Sequence, residues 1–316
     1  MGIERTKVAV GRTFVWALAT ALVLGGGWWS PTVGPTGAAF PGTNGRIAFA
    51  SDRVTPGNPE GDTEIFTMNP DGSDLRQLTK NKANDSEPAW SADGARIAFV
   101  RGPIDDTEIY TMLANGRDQI RRTTHPGKDE HPAWSPNGKR IAFERDAKNG
   151  IPDIFTMKVN GTNLLNVSNQ PGFDIQPAWS PDGQSIAFVS ERDIGADIYT
   201  MTPSGSFVEK LTDNNTSDLA PNWSPDGTQI VFESFQGASF EIYTMDADGK
   251  NQTALTTNAA FDRFPSWSPD SQQVAFSTFR DGNFELYTMG TNGSSAMNRT
   301  NDGASDTGAD WQATPQ

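Results

Sequence analysis

Six tryptophans, Trp90, Trp134, Trp179, Trp223, Trp267 and Trp311, recur every 44 or 45 residues. Met68, Met112, Met157, Met201, Met245 and Met289 keep the same intervals, as does the hydroxyl series Thr79, Thr123, Ser168, Thr212, Thr256 and Thr300. Such a repeat cannot bury its apolar runs alone, so each copy must stack on its neighbours. A period in the low forties, with short apolar runs parted by Gly, Asp and Pro, matches a four-stranded propeller blade. Six copies predict an all-β, six-bladed β-propeller over residues 40–316. The 31 Gly and 21 Pro suit so turn-dense a chain.

The stretch from Asp174 to Thr212 shows how one copy builds a blade. Gln176-Pro177-Ala178-Trp179 predicts a short inner strand. Ser180-Pro181-Asp182-Gly183 follows as a turn, in which Pro presets φ and Gly relieves the backbone. Ile186 to Val189 and Asp197 to Met201 predict the second and third strands, apolar on both faces as a sandwiched blade requires. Val208 to Leu211 predicts the outermost strand. The chain ends are complementary. Gly45 to Phe49 reads as a second strand with no Trp strand before it, and Asp310-Trp311 as a Trp strand with no second strand after it. The C-terminal strand is therefore expected to complete the first blade and close the ring, leaving no open sheet edge there.

Residues 1–39 stand outside the repeat. Arg5, Lys7 and Arg12 precede an apolar run from Phe14 to about Leu24, and Gly37-Ala38-Ala39 offers small residues for cleavage. This predicts a signal peptide or an N-terminal anchor. The run is shorter than the roughly 20 apolar residues of a membrane span. The expected location is secreted, periplasmic or cell-envelope associated, with a monomeric propeller that has no span of its own. A net charge of −14 argues against nucleic-acid binding. With no Cys, disulfides, thiol catalysis and Cys-metal sites are excluded.

Two acidic series follow the period. Asp85, Asp129, Asp174, Asp218, Asp262 and Asp306 each stand five residues before the repeat Trp. Glu64, Glu108, Asp153, Asp197, Glu241 and Glu285 each open the third strand. Both are expected at one mouth of the channel, the first series nearer the axis. Carboxylates about 7 Å apart repel by roughly 0.6 kcal/mol in water, and by about 2.4 at an effective dielectric of 20. A ring of them needs hydrogen bonds, raised pKa values or a cation. A basic protein segment or Ca²⁺ would serve, and loop bracing by backbone N–H groups is the structural alternative. His125 and His131, the only two histidines, share a loop with Asp129 and Glu130. The expected partner-binding set is Asp85, Asp129, Glu130, His131, Asp174, Asp218, Asp262 and Asp306, with no catalytic residue, resident metal or cofactor assigned. The Trp series is read as packing between blades. No Gly-x-Ser-x-Gly elbow occurs.

The unit Pro-x-Trp-Ser-Pro-Asp-Gly, then Ile-Ala-Phe, then Asp-Ile-Tyr-Thr-Met, resembles the WD-like repeat of the TolB propeller family. Pro177 to Gly183, Ile186 to Phe188 and Asp197 to Met201 carry the resemblance, which extends over about residues 41–312. It implies the six-bladed fold, a scaffold that serves translocation proteins, peptidase side domains and sugar lyases. The expected function is an exported non-catalytic propeller that binds a protein or peptide through an acidic channel mouth. The alternative is a metal-dependent lyase or hydrolase acting on an extracellular polymer. In a propeller lyase of this type the metal-binding His come from several blades, whereas here both lie in one repeat.

Overall fold

The computed structural model describes residues 40–146 and 150–314, and the predicted signal or anchor segment lies outside them. All regular structure among the described residues is β, in six four-stranded antiparallel sheets. Blade I combines Asp306–Thr314 with Thr43–Ser51, Glu64–Met68 and Arg76–Gln77. Blade II is Asp85–Trp90, Arg96–Arg101, Glu108–Leu113 and Ile120–Arg121, and blade III is Asp129–Trp134, Arg140–Asp146, Pro152–Lys158 and Leu165–Asn166. Blade IV is Asp174–Trp179, Ile186–Ser190, Asp197–Met201 and Glu209–Lys210. Blade V is Asp218–Trp223, Gln229–Phe235, Phe240–Asp246 and Thr253–Ala254. Blade VI is Asp262–Trp267, Gln273–Thr278, Glu285–Gly290 and Met297–Asn298.

The C-terminal strand closes the ring as the complementary ends predict. Trp311 lies opposite Ile47, and Asp306 opposite Ser51. All six repeat Trp are buried between sheets, together with Phe49, Phe99, Phe143, Phe188, Phe232 and Phe276 of the second strands. Contacts of this kind provide the main stabilising term, at about 25 cal/mol per Å² of apolar surface removed from water.

Two periodic features show how the blades are fastened. Each hydroxyl of the Thr79 series accepts the backbone N–H of the residue that follows the acidic position of its third strand, from Ile65 to Thr79 at 2.8 Å through Leu286 to Thr300 at 3.0 Å. The outer turn of each blade also carries a Gly pressed on the preceding blade. A Cβ on Gly205 would lie 2.0 Å from the Val167 carbonyl oxygen, and one on Gly116 2.6 Å from that of Leu78. Both have φ near +80°, so only Gly fits on either count.

The strands differ from expectation at their ends. The inner strand of blade IV begins at Asp174, not Gln176, because a bulge after Ile175 lets the chain pair on both sides of a left-handed Gln176. The acidic Asp series therefore belongs to the inner strands, not to the loops before them. The outer strand is only Glu209–Lys210, as short as the edges of all six blades.

Candidate functional site at the channel mouth

In blade II, Asp85 lies opposite Arg101, and Arg101 opposite Glu108, so one row crosses three strands at one end of the sheet. Both acidic series thus do share one mouth. The side chains of the inner series, however, are wholly buried: Asp85, Asp129, Asp174, Asp218, Asp262 and Asp306 each show 0 % exposure. Five of them take a guanidinium from the second strand of their own blade or the residues just after it. Asp85 pairs with Arg101 at 2.6 and 2.7 Å, Asp129 with Arg145 at 2.6 Å, and Asp306 with Arg53 at 2.7 Å. Asp174 meets Arg192 at 3.1 Å and Asp262 meets Arg280 at 3.3 Å.

These arginines lie over aromatic faces, as Arg101 does at 5.2 Å from the Phe99 ring centre and 4.9 Å from that of Tyr110. The signal was present in the sequence as an Arg just after the repeated Phe of the second strand, or a few residues later. Blade V breaks the pattern. Ser234 and Gln236 stand where the other blades place Arg, and Asp218 is held by Ser234 and by Asn214 at 2.7 Å. Burial pushes the Asp218 carboxyl above its ordinary range, as it does for Asp129 despite Arg145. Burial also raises Asp306 to about 6, against the pull of Arg53.

The outer series braces the outer strands and the loops that return from them. Glu108 accepts the His125 N–H at 2.7 Å, Asp153 accepts Asn166 at 2.8 Å, and Asp197 lies 3.0 Å from the Lys210 ammonium. Burial raises Glu64 to about 7, even though it accepts the Asn81 N–H.

Deeper in the channel, the third residue of every inner strand adopts positive φ: Glu87, His131, Gln176, Ala220, Phe264 and Gly308. In the last five of these that twist turns the backbone N–H toward a side chain of the preceding blade. His131 N–H donates to Glu87 at 2.6 Å, Ala220 to Gln176 at 2.8 Å and Phe264 to Glu233 at 3.0 Å. The result is a buried polar girdle with one charged side. His131 Nδ1 lies 2.7 Å from Glu144 Oε2, and Nε2 lies 3.8 Å from Glu87 Oε1. Burial opposes a charge on His131, but Glu144, Glu87 and Glu130 outweigh it and push the imidazole up to about 10. Burial raises Glu87 to about 8.

His131 is thus enclosed by the carboxyl groups of Glu87, Glu130 and Glu144 of blades II and III, while the neighbouring Asp129 turns to Arg145. Glu87 and Glu144 were missed in the sequence because neither belongs to a periodic acidic series. Among the described residues, no group of three or more His, Cys, Asp or Glu is disposed to hold a metal ion.

What remains open at the mouth is the second residue of five inner strands, Thr307 of blade I being buried. Ser86, Glu130, Ile175, Leu219 and Arg263 are half-buried between buried neighbours. Glu130 and Arg263 stand three blades apart, hence on opposite sides of a six-bladed ring. Arg263 is also tied to Glu233 at 2.6 Å and stacked 4.5 Å from the Phe240 ring centre. Among the described residues, the loops around them on this face expose Asp52, Glu60, Asp105, Asp106, Asp193, Asp213, Asp281 and Asp302, against the ammonium groups of Lys80 and Lys82.

The same architecture occurs in solved structures. The chain superposes on TolB from Acinetobacter baumannii with a TM-score of 0.77 at 24% identity, covering 85% of this chain and 67% of that one. On a TolB from Agrobacterium tumefaciens the TM-score is 0.66 at 20% identity, covering 85% and 92%. At these identities the likeness is one of fold. A segment of 37 residues is 54% identical to dipeptidyl-peptidase 5 of Porphyromonas gingivalis, 12% of this chain and only 5% of that enzyme's length. The TolB beta propeller domain matches residues 35–143, 123–218, 165–261 and 209–316, which together take in all the described blades. By that match, and by six blades closed on the C-terminal strand, the chain belongs to the TolB β-propeller domain family.

Proposed function

We propose that the chain is an exported, non-catalytic propeller that binds a protein or peptide at the mouth carrying the two acidic series. The observation that carries this reading is the open ring of second residues. Glu130 faces Arg263 across the axis, and Ile175 and Leu219 flank them on one side. A carboxylate, a guanidinium and two aliphatic side chains suit a peptide bearing both charged and apolar groups. The buried Asp85, Asp129, Asp174, Asp218, Asp262 and Asp306 support the ring by fixing strand ends, while Glu130 reaches the ligand and His131 holds the wall behind it. The exposed carboxylates of the surrounding loops favour a basic partner and speed its approach. Export rests on the basic and apolar N-terminal pattern, and N-terminal sequencing of protein recovered outside the cytoplasm tests it.

A displayed peptide library selected against the purified chain tests the binding. Enriched sequences should carry basic residues, lose affinity as salt is raised, and bind poorly to Glu130→Gln combined with Leu219→Asn. Failure to enrich any sequence, or equal binding to that variant, overturns the reading.

A further inference from the structure

Blade V carries only part of an arrangement that the other five blades repeat at the mouth. In each of those, the buried Asp of the inner strand meets a guanidinium that lies over two aromatic rings of the second and third strands. Arg192 of blade IV pairs with Asp174 at 3.1 Å and stands 5.2 Å from the Phe188 ring centre and 4.9 Å from that of Tyr199. Arg280 of blade VI pairs with Asp262 at 3.3 Å and stands 5.5 Å and 4.6 Å from the ring centres of Phe276 and Tyr287. In both blades the arginine Nε also donates to a hydroxyl that ends the second strand, to Ser190 at 2.8 Å and to Thr278 at 3.0 Å.

Blade V has the same carboxyl, rings and hydroxyl. Asp218 is wholly buried and lies opposite Ser234 in the sheet. The ring centres of Phe232 and Tyr243 are 5.8 Å apart, against 6.0 Å for the pairs of blades IV and VI. Gln236 stands at the arginine position, and its Nε2 donates to Ser234 at 2.9 Å, as an arginine Nε would. The side chain stops there, without the carbon and the two nitrogens by which Arg192 and Arg280 reach their Asp. Among the described residues, no arginine meets Asp218 or lies over Phe232 and Tyr243. Neutral groups alone hold the carboxyl: Ser234, Asn214 at 2.7 Å, and Thr216 at 3.4 Å, which is too long for a strong bond. Asn214 does not take the place of an arginine, because Asn258 bonds Asp262 in the same way beside Arg280.

A buried carboxyl beside two stacked rings selects a planar cation. A guanidinium donates through its edge while its face lies on the rings, whereas an ammonium cannot do both at once. The side chains of Arg192 and Arg280 keep 18 % and 28 % exposure, and Gln236 is itself exposed, so this place is reached from the mouth. It adjoins Leu219, one of the open residues of the mouth.

We propose that blade V takes an arginine side chain of the bound peptide, whose guanidinium pairs with Asp218 over the rings of Phe232 and Tyr243. This rests on the reading of the mouth as a peptide surface, and it fixes one residue that the peptide presents.

Isothermal titration of the purified chain with acetyl-arginine amide, and with acetyl-lysine amide as the control, tests the pairing. The arginine probe should bind about tenfold tighter or more, the worth of one hydrogen bond to a charged group. Asp218→Asn should abolish that preference. Gln236→Arg supplies the guanidinium from the chain itself, so it should raise the melting temperature and exclude the arginine probe. Equal binding of the two probes, a preference that survives Asp218→Asn, or a Gln236→Arg variant that binds arginine as the wild type does overturns the proposal. Selected peptides that carry Lys as often as Arg overturn it too, while leaving the peptide surface standing. A chain that prefers the arginine probe in this way but enriches no peptide keeps the blade V site and overturns the peptide reading instead.

Discussion

The backbone N–H of Trp90 donates to Asp310 Oδ2 at 2.6 Å, joining inner strands 220 residues apart in the chain. Asn222 does the same for Trp267 at 3.1 Å, so this position in the inner strand can pass a hydrogen bond to the next blade. Asp310 performs the task with a charge. Burial raises its carboxyl to about 7, against the pull of the Trp90 and Trp311 N–H groups.

Asp310→Asn should therefore hold or slightly raise stability at pH 8, because the amide keeps the acceptor and removes a buried charge. Asp310→Ala should lower stability by about 1–3 kcal/mol, the cost of leaving a buried N–H without a partner. Denaturant unfolding of both variants beside the wild type checks the order, and equal loss in the two contradicts it.

Removing residues 306–316 takes away the whole inner strand of blade I, including Trp311. The loss should exceed the roughly 3–5 kcal/mol of a single buried Trp→Ala change. Thermal unfolding read by tryptophan fluorescence should fall sharply or lose its cooperative transition. An unchanged midpoint would mean that the ring holds without its closing strand.

The inner Asp series should respond unequally to neutralisation. Asp85→Asn leaves Arg101 without its buried counter-ion, and breaking such a pair costs about 3–5 kcal/mol, at the lower end because Arg101 retains some solvent. Asp218→Asn removes a charge that has no arginine opposite and should cost less than about 1 kcal/mol at pH 7. Paired urea melts decide the point, and similar losses at both sites would refute the assignment of Arg101.

Stability should fall as pH rises from mildly acidic to mildly basic. Glu87 is raised to about 8, Glu64 and Asp310 to about 7, and Asp306 to about 6. Each folded carboxyl binds its proton more tightly than the unfolded one, so its contribution is full below its ordinary pKa and is lost on the way up through the raised value. His131, raised to about 10, has the same sign: its contribution is full below its ordinary value and is lost progressively as pH climbs from there through the raised one. The melting midpoint should be higher at about pH 5.5 than at about pH 8.5, and Glu87→Gln should flatten the slope. A midpoint that rises over this interval rejects the arrangement.

Gly205→Ala should destabilise more than Gly138→Ala. Both positions have positive φ, which costs about 1 kcal/mol for any residue with a Cβ. At Gly138 the added Cβ has nothing within 4 Å, whereas at Gly205 it strikes the Val167 carbonyl of the preceding blade. Comparing the two melts separates backbone strain from the seal between blades.

The period in the sequence was enough to establish the six blades, the burial of the Trp series and the closing strand, because stacking repeats obliges each copy to present the same apolar positions. It also placed both acidic series at one mouth, since strand alternation and antiparallel turns follow directly from spacing. Only the tertiary structure revealed what those carboxylates touch. Arg101 meets Asp85 because the strands are in register, but Arg192 and Arg280 reach their Asp partners from beyond the strand end, and spacing does not show such reach. The union of His131 with Glu87 and Glu144 depends on a bulge that turns the inner strand into left-handed backbone at one residue. A bulge is set by the packing of neighbouring blades, and although Glu87 and His131 stand one repeat apart, that spacing does not show that left-handed backbone turns the N–H of one toward the carboxylate of the other.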